Sequence, residues 1–304
     1  MPQEPPPILS IRQRLKNLAQ VRQVTLNEVL RLYFLDGFLQ RVASSPAHDQ
    51  FVLGGAMVLY KVGLGPLLAR HTQDADFSIQ GLPNDGPSIR VLLQSIVRLP
   101  APDELRFDAD SVTIAPILQA NPQLGLQAHM TGFLGKARDI ITLDCSFDPI
   151  APPGPQMSAL PPTLPGAPPI ALLTVPVEGI MAGKVESMLR RGATNTRYKD
   201  YWDIAQLAAT RAFAGDRLQV ALRATCTAHG TPLDPTAVAL ASPTFPTDPT
   251  QLTNWTYFLT RLRTAQAQPI SFGEAIARLR ALYTPVVLGA VAGKTWDPHT
   301  QQWG

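Results

Sequence analysis

The stretch from Phe51 to Phe77 reads FVLGGAMVLYKVGLGPLLARHTQDADF and decides the fold class. Its first apolar residues lead into Gly54-Gly55, and an apolar run of helical character follows. Further on, Asp74–Ile79 alternates polar and apolar residues, as a half-buried strand does. The order strand, Gly-Gly, helix and acidic strand predicts a mixed unit of helices and strands.

The acidic strand carries candidate metal ligands. If the segment is extended throughout, its alternate polar positions share one face: Arg70, Thr72, Asp74 and Asp76. Neighbouring carboxylates repel each other, and a divalent cation relieves that repulsion. Hard cations such as Mg²⁺, with Mn²⁺ as the alternative, prefer carboxylate oxygen. Solvated acidic strands are also common, so a purely structural role for Asp74 and Asp76 stays open.

A second strand with the same alternation is predicted at residues 139–147. Asp144 falls on its polar side, and Cys145 falls on its apolar side as a packed thiol. If the two strands lie close in one sheet, Asp144 becomes a third carboxylate beside Asp74 and Asp76. Three carboxylates on a sheet surface can hold two metal ions for phosphoryl chemistry.

The glycine pair is a candidate phosphate site. Gly54 and Gly55 separate a strand from a helix, where backbone N–H groups and the helix dipole bind phosphate. Tight turns use the same dipeptide, so the pair becomes informative only in combination with the acidic strand.

The remaining sequence divides into segments. We predict a helical segment at 1–50, with a capping box at Thr25 and Glu28. The mixed unit spans 51–150, and a proline-rich connection at 151–176 is interpreted as a surface linker. Residues 177–304 are predicted to be mainly helical and to complete the active site.

Composition sets the class of protein. The chain has 304 residues, 45% of them hydrophobic and 16% charged, which is typical of a globular protein. It carries a formal charge of +3, two cysteines and no apolar run long enough for a membrane span, and its N-terminus lacks the apolar core of a signal peptide. These features predict a reduced, cytoplasmic protein that does not use a membrane.

Two polar residues occupy apolar helix stripes in the C-terminal half. Lys184 lies in the stripe of residues 178–191, and Asp203 lies where a leucine is expected in residues 198–210. Lys184 either snorkels to the rim, forms a structural ion pair with Asp203, or reaches a buried anion. The basic residues between these helices, among them Arg197, could grip a triphosphate or an RNA backbone, or form a solvated turn.

Together these motifs resemble the AbiEii/AbiGii-type toxin family of nucleotidyltransferases. The resemblance runs over nearly the whole chain. It rests on the following motifs in the family's order: Phe51–Met57, Arg70–Asp76, Leu143-Asp144, Ala182–Glu186, Asn195–Asp203 and the closing Trp296-Asp-Pro with Trp303.

The resemblance implies an α+β fold, in which a small mixed sheet of nucleotidyltransferase type precedes a mainly α-helical C-terminal domain. It implies catalytic roles for Asp74, Asp76, Lys184 and Asp203. It assigns metal binding to Asp74, Asp76 and Asp144, and nucleotide binding to these residues: Gly54, Gly55, Arg70, Thr72, Lys184 and Arg197. A nucleoside triphosphate is the implied substrate. The implied partner is an antitoxin, often a winged-helix protein encoded nearby, and the 3′ end of tRNA is one implied acceptor.

The chain departs from the family at two positions. Leu53 stands where relatives often have lysine, and Gly183 stands where they often have glutamate. These departures keep open a nucleotide-binding module that works without turnover through a protein partner. Our hypothesis is nucleotidyl transfer, in which an acceptor hydroxyl attacks the α-phosphorus of the nucleoside triphosphate.

Overall fold

A computed structural model describes residues 6–65, 72–117, 125–262 and 269–304. Its described residues form two compact units. The first comprises residues up to 62, 72–150 and 155–175, and the second comprises residues 63–65, 151–154 and those from 176 onward. The segment predicted at 1–50 therefore belongs to the first unit, in its described part.

Two helices open the first unit, α1 (Pro6–Arg22) and α2 (Leu26–Ser44). The capping box predicted at the start of α2 is confirmed. Thr25 Oγ1 accepts the N–H of Glu28, and the Glu28 carboxylate accepts the N–H of Thr25. Most of α2 is buried, because it packs against the central sheet of the unit.

A seven-stranded mixed sheet forms the centre of this unit. Its strand order is β3-β4-β5-β2-β1-β7-β6. The elements after α2 are, in chain order, β1 (Phe51–Leu53), α3 (Gly55–Val58), a π-helical turn (Leu59–Gly63), β2 (Asp74–Ile79), α4 (Gly86–Val97), β3 (Arg106–Pro116), β4 (Leu126–Leu134), β5 (Ala137–Ser146), β6 (Gln156–Leu160) and β7 (Ile170–Thr174).

The two faces of the sheet differ in polarity. On β2, Ala75 and Phe77 are buried against the helices, while Asp74 and Asp76 on the opposite face are half-buried. The close approach of Phe34 on α2 to Gly132 shows which face the helix covers. We call the face that carries Asp74 and Asp76 the polar face.

The proline-rich connection differs from its prediction. It was interpreted as a surface linker, but it contains two strands, β6 and β7, and β7 pairs in parallel with β1 at Leu53 and Thr174. Proline excludes helix but not strands at the sheet margin, so short apolar runs between prolines could still join the sheet. Helix α4 and strand β4 were likewise not predicted.

The second unit is mainly helical, as predicted. Its elements are α5 (Val177–Arg191), a 3₁₀ turn (Gly192–Thr194), α6 (Tyr198–Thr210), β8 (Phe213–Ala214), α7 (Gly215–Ala228), α8 (Val238–Ala241), a 3₁₀ turn (Phe245–Thr247), α9 (Pro249–Arg261), α10 (Phe272–Leu288), β9 (Thr295–Asp297) and β10 (Gln302–Trp303). An aromatic cluster packs α6 against α9 and α10: Tyr198, Tyr201, Trp255 and Phe272.

The predicted α+β class is confirmed by these elements. Helix α9 begins at Pro249, and the side chain of Asp248 caps it by accepting the N–H of Gln251. Within the described ranges, the helices lack the combination of length and apolarity that a membrane span requires.

Candidate active site

Three predicted carboxylates lie on the polar face of two adjacent strands. Strands β2 and β5 pair in parallel, with Asp76 opposite Asp144 and Asp74 opposite Thr142. The expectation that the two acidic strands are neighbours is therefore confirmed. Because side chains two apart on a strand share a face, Asp74, Asp76 and Asp144 form one acidic group.

Neighbouring side chains hold two of these carboxylates. The Nε2 of Gln127, on β4, donates to Oδ1 of Asp144 at 2.8 Å. The hydroxyl of Thr72 donates to Oδ1 of Asp74 at 2.9 Å, and Thr72 itself is 2% exposed. Gln127 has no local signal in the sequence, since its role depends on the β4–β5 pairing that places it opposite Asp144.

The Gly54-Gly55 turn lies directly beside Asp76. The N–H of Gly54 donates to the backbone oxygen of Asp76 at 2.8 Å. Gly55 has a φ of +60°, and a Cβ placed on it would overlap the Asp76 carboxylate. The N–H of Gly54 therefore extends the sheet and is not directed at a phosphate site. Phosphate binding by the turn stays a prediction.

The donor chemistry of the acidic group fits a hard divalent cation, because carboxylates from two adjacent strands lie on one face. The fit is incomplete as the side chains stand. Among the described residues, His, Cys, Asp and Glu side chains form no group of three or more that could hold a metal ion. Asp76 and Asp144 thus supply an adjacent pair, and the metal-binding role of Asp74, Asp76 and Asp144 stays a prediction.

Cys145 lies next to Asp144 but on the covered face. Its side chain is fully buried. Burial, followed by the negative charges of Asp144 and Asp76, raises the pKa of the Cys145 thiol to about 12. The thiol therefore stays protonated at neutral pH, which is the packed thiol that the apolar position predicted.

A second charged group lies in the other unit and centres on Lys184. Its Nζ lies 2.7 Å from Oδ1 of Asp200 and 2.9 Å from Oδ2 of Asp203. The Nε of Arg197 lies 2.7 Å from the other oxygen of Asp200. The ion pair between Lys184 and Asp203, the structural alternative in the sequence, is present, and Asp200 joins it.

Asp200 links the two cations of this second group, Lys184 and Arg197. It is fully buried, and both its oxygens accept charged donors. Burial alone would raise the pKa of Asp200, but Lys184 and Arg197 outweigh it and hold that pKa below its ordinary value. Asp200, three residues before Asp203 on α6, was not among the predicted site residues.

The structure shows the environment of Leu53 and Gly183, the two residues that depart from the family motif. Leu53 is fully buried in β1 between β2 and β7. A Cβ on Gly183 would meet nothing within 4 Å. Leucine therefore fills an apolar position, and the missing side chain at Gly183 leaves open space. Arg70, the remaining predicted nucleotide-binding residue, lies outside the described residues.

Comparisons with known proteins agree with this architecture. A family model described as nucleotidyl transferase AbiEii toxin, type IV toxin–antitoxin system, matches residues 37–278. The chain is similar to the solved structure of MenT4, a nucleotidyltransferase toxin from Mycobacterium tuberculosis H37Rv. The TM-score is 0.59 at 14% identity, over 90% of this chain and 89% of that one. This likeness confirms the predicted nucleotidyltransferase-type fold.

A second solved structure, JHP933 from Helicobacter pylori, has a TM-score of 0.48 at 14% identity, covering 88% of this chain and 94% of its own. No curated protein sequence matches the chain at a significant level.

Proposed function

The chain belongs to the AbiEii family of nucleotidyltransferase toxins from type IV toxin–antitoxin systems, and we propose that it carries out Mg²⁺-dependent nucleotidyl transfer at Asp74, Asp76 and Asp144. The observation that supports this assignment most is the register of β2 and β5, which sets Asp76 opposite Asp144. The Gly54-Gly55 turn leads from β1 into α3 directly beside Asp76, and the start of a helix is a common place for a phosphate to bind.

Asp74, Asp76 and Asp144 would hold Mg²⁺, or Mn²⁺ in its place. When bound, the metal lowers the pKa of the acceptor hydroxyl and neutralises charge on the phosphates. Gln127 and Thr72 orient two of the carboxylates by donating to one oxygen of each. These hydrogen bonds restrict rotation of the two carboxylates, so the second oxygen of each is held in one orientation.

The proposed reaction is an in-line displacement. The acceptor hydroxyl oxygen forms a bond to the α-phosphorus of a nucleoside triphosphate, and the bond from that phosphorus to the bridging oxygen breaks. The hydroxyl proton leaves to water, and pyrophosphate departs. Gly54, Gly55, Arg70 and Thr72 are proposed to line the nucleotide.

Lys184 and Arg197 are proposed to neutralise negative charge on the phosphates, and Asp203 is proposed to position Lys184. The 2.9 Å contact between Asp203 and Lys184 supports the second role. Asp200, which accepts from both cations, is added here as a positioning residue. Asp200 and Asp203 hold Lys184 and Arg197 in fixed positions, and their negative charges offset part of the positive charge of the two cations.

Membership of the family supports a proposal for the physiological setting. We propose that the protein acts in the cytoplasm as a toxin, and that a separately encoded antitoxin, of winged-helix type, neutralises it. The proposed acceptor is an RNA, with the 3′ end of tRNA as the first candidate.

The direct test incubates the purified chain with each α-labelled nucleoside triphosphate, Mg²⁺ and total tRNA. We expect label in RNA with the wild type and a loss of about 100-fold or more with Asp76→Asn. Asp49→Asn, at an exposed side chain in the turn before β1, is the matched control and should retain full activity.

Tight nucleotide binding by calorimetry without transfer to any acceptor would instead favour the nucleotide-binding module. Equal transfer by wild type and Asp76→Asn would show that Asp76 is not needed for the reaction and would contradict the proposed role of the acidic group.

A further inference from the structure

The polar face continues beyond the acidic group along β4 and β5. Residues opposite each other in antiparallel strands place their side chains on the same face. Thr131 lies opposite Ile140, and Phe133 lies opposite Arg138, in the same register that sets Gln127 opposite Asp144. Ile140 is 56% exposed, so this part of the face is open to solvent.

A basic and aromatic patch ends this face. Arg106, on β3, lies opposite Phe133, and its guanidinium carbon is 4.2 Å from the centre of the Phe133 ring. Arg138 lies opposite Phe133 on β5, and both arginines are exposed. We call Arg106, Phe133 and Arg138 the arginine patch. Lys136, in the turn that joins β4 and β5, adds a further exposed positive charge beside it.

The patch is well separated from the acidic group. Arg138 and Asp144 are six residues apart on β5, which corresponds to roughly 20 Å at the rise of a strand. The carboxylates of the acidic group repel any polyanion that approaches the reacting end. A polyanionic acceptor therefore needs attraction from elsewhere along its length, and the arginine patch supplies it on the same face.

Nearby acidic residues indicate which side of the face such an acceptor would follow. Asp108 lies on β3 opposite Thr131, and Asp110 follows in the bulge of the same strand. These two carboxylates disfavour a phosphate backbone along β3. On β5, Ile140 and Thr142 occupy the positions between Arg138 and Asp144, and neither carries charge.

We propose that the arginine patch binds a single-stranded segment of the RNA acceptor and that this segment runs along β4 and β5 toward Asp144. The proposal rests on the proposed function. Guanidinium groups pair with phosphates through forked N–H donors, and an unpaired base stacks on an exposed aromatic ring. RNA is favoured over a protein acceptor because the patch combines clustered positive charge with a partly exposed ring.

The first test measures RNA binding without nucleotide. Fluorescence anisotropy follows a fluorescein-labelled single-stranded oligoribonucleotide bound to wild type, Arg106→Gln, Arg138→Gln and Phe133→Ala. Each arginine variant should weaken binding and reduce the slope of log affinity against log salt by about 0.7. Phe133→Ala should weaken binding roughly fivefold or more, and Asp108→Asn should strengthen it.

Arg90→Gln is the matched control. Arg90 is exposed on α4, which packs against the covered side of β3. The same loss of charge there should leave affinity and salt slope unchanged. Unchanged binding by Arg106→Gln and Arg138→Gln, or an equal loss by Arg90→Gln, would overturn the proposal.

The second test separates this proposal from the proposed function. With an RNA acceptor, Arg138→Gln should raise the KM for RNA and leave both kcat and the KM for nucleotide unchanged. If the wild type transfers nucleotide and Arg138→Gln has an unchanged KM for RNA, RNA binding by the arginine patch is contradicted while the proposed function stands. Weaker RNA binding by the variant, with no transfer by the wild type, would contradict the function and support the patch. Transfer to a protein instead of RNA would overturn the patch.

Discussion

The Cα of Gly55 lies so close to the carboxylate of Asp76 that the position has no room for a side chain. Gly55 also has a φ of +60°, a conformation that L residues rarely adopt. The glycine thus does two things at once. It permits the turn between β1 and α3, and it leaves space for the acidic side chain that the proposed reaction depends on.

Gly55→Ala is therefore expected to disable the enzyme more than it destabilises the fold. The backbone strain should cost about 1–2 kcal/mol, and the displaced carboxylate should lower transfer about 100-fold. Transfer rates and urea unfolding measure the two effects.

Gly81→Ala is the control for Gly55→Ala. Gly81 has a φ of +72°, but a Cβ there would meet nothing within 4 Å. Its stability loss should be similar and its activity normal. Activity that falls equally in both variants would show that backbone strain, and not the contact with Asp76, causes the loss.

Gln127→Ala should weaken the apparent affinity of the active site for Mg²⁺. Without the bond from Gln127 the Asp144 carboxylate can rotate, so the Mg²⁺ concentration for half-maximal transfer should rise about tenfold. Gln94→Ala is the matched control, because Gln94 makes one amide hydrogen bond, to the backbone oxygen of Ala109. If Gln127→Ala keeps the wild-type Mg²⁺ dependence, Asp144 does not depend on Gln127.

Asp200→Asn should destabilise the second unit. It removes a buried charge between Lys184 and Arg197, and the single amide oxygen can accept from only one of them while the amide N–H₂ faces the other. Breaking such a buried pair costs about 3 kcal/mol in the free energy of unfolding. Asp110→Asn, which breaks only the 3.8 Å exposed pair with Arg98, should cost less than about 1 kcal/mol. If denaturant unfolding shows similar losses of unfolding free energy for Asp200→Asn and Asp110→Asn, the buried ion pairs of Asp200 contribute no more than an exposed pair.

The contribution of Asp200 should also depend on pH. Its folded pKa is lowered from the ordinary value of 3.8, so the unfolded chain binds the proton more readily than the folded one. The stability it contributes is fully present above that ordinary value and is lost as pH falls through the folded pKa. The difference in unfolding free energy between wild type and Asp200→Asn should therefore be constant near neutrality and shrink in acid. A difference that stays constant down to acid denaturation would contradict this assignment.

The sequence predicted those parts of the fold whose signals are local. The capping box at Thr25 and Glu28, the alternation of Asp74–Ile79 and the helix at Tyr198–Thr210 each follow from neighbouring residues, and all are confirmed. The proline-rich strands β6 and β7 were missed because prolines mask short strands that only the sheet stabilises.

The candidate site was predictable to a similar extent. Asp144 could be placed beside Asp76 because both strands alternate, and the register confirms that placement. Gln127 and Asp200 could not be assigned, since their contacts depend on strand pairing and on packing between residues distant in the chain. The bond from the N–H of Gly54 to the backbone of β2 likewise depends on strand pairing and has no local signal.

The most direct test of the central claim is a double-mutant cycle on the rate of nucleotidyl transfer with Asp76→Asn and Asp144→Asn. If the two carboxylates act on one metal-bound reaction centre, each single variant should lose about 100-fold or more, and the double variant should be little worse than the poorer single one. Near-normal transfer by either single variant, or losses that multiply in the double variant, would contradict the claim that Asp76 and Asp144 form one catalytic group.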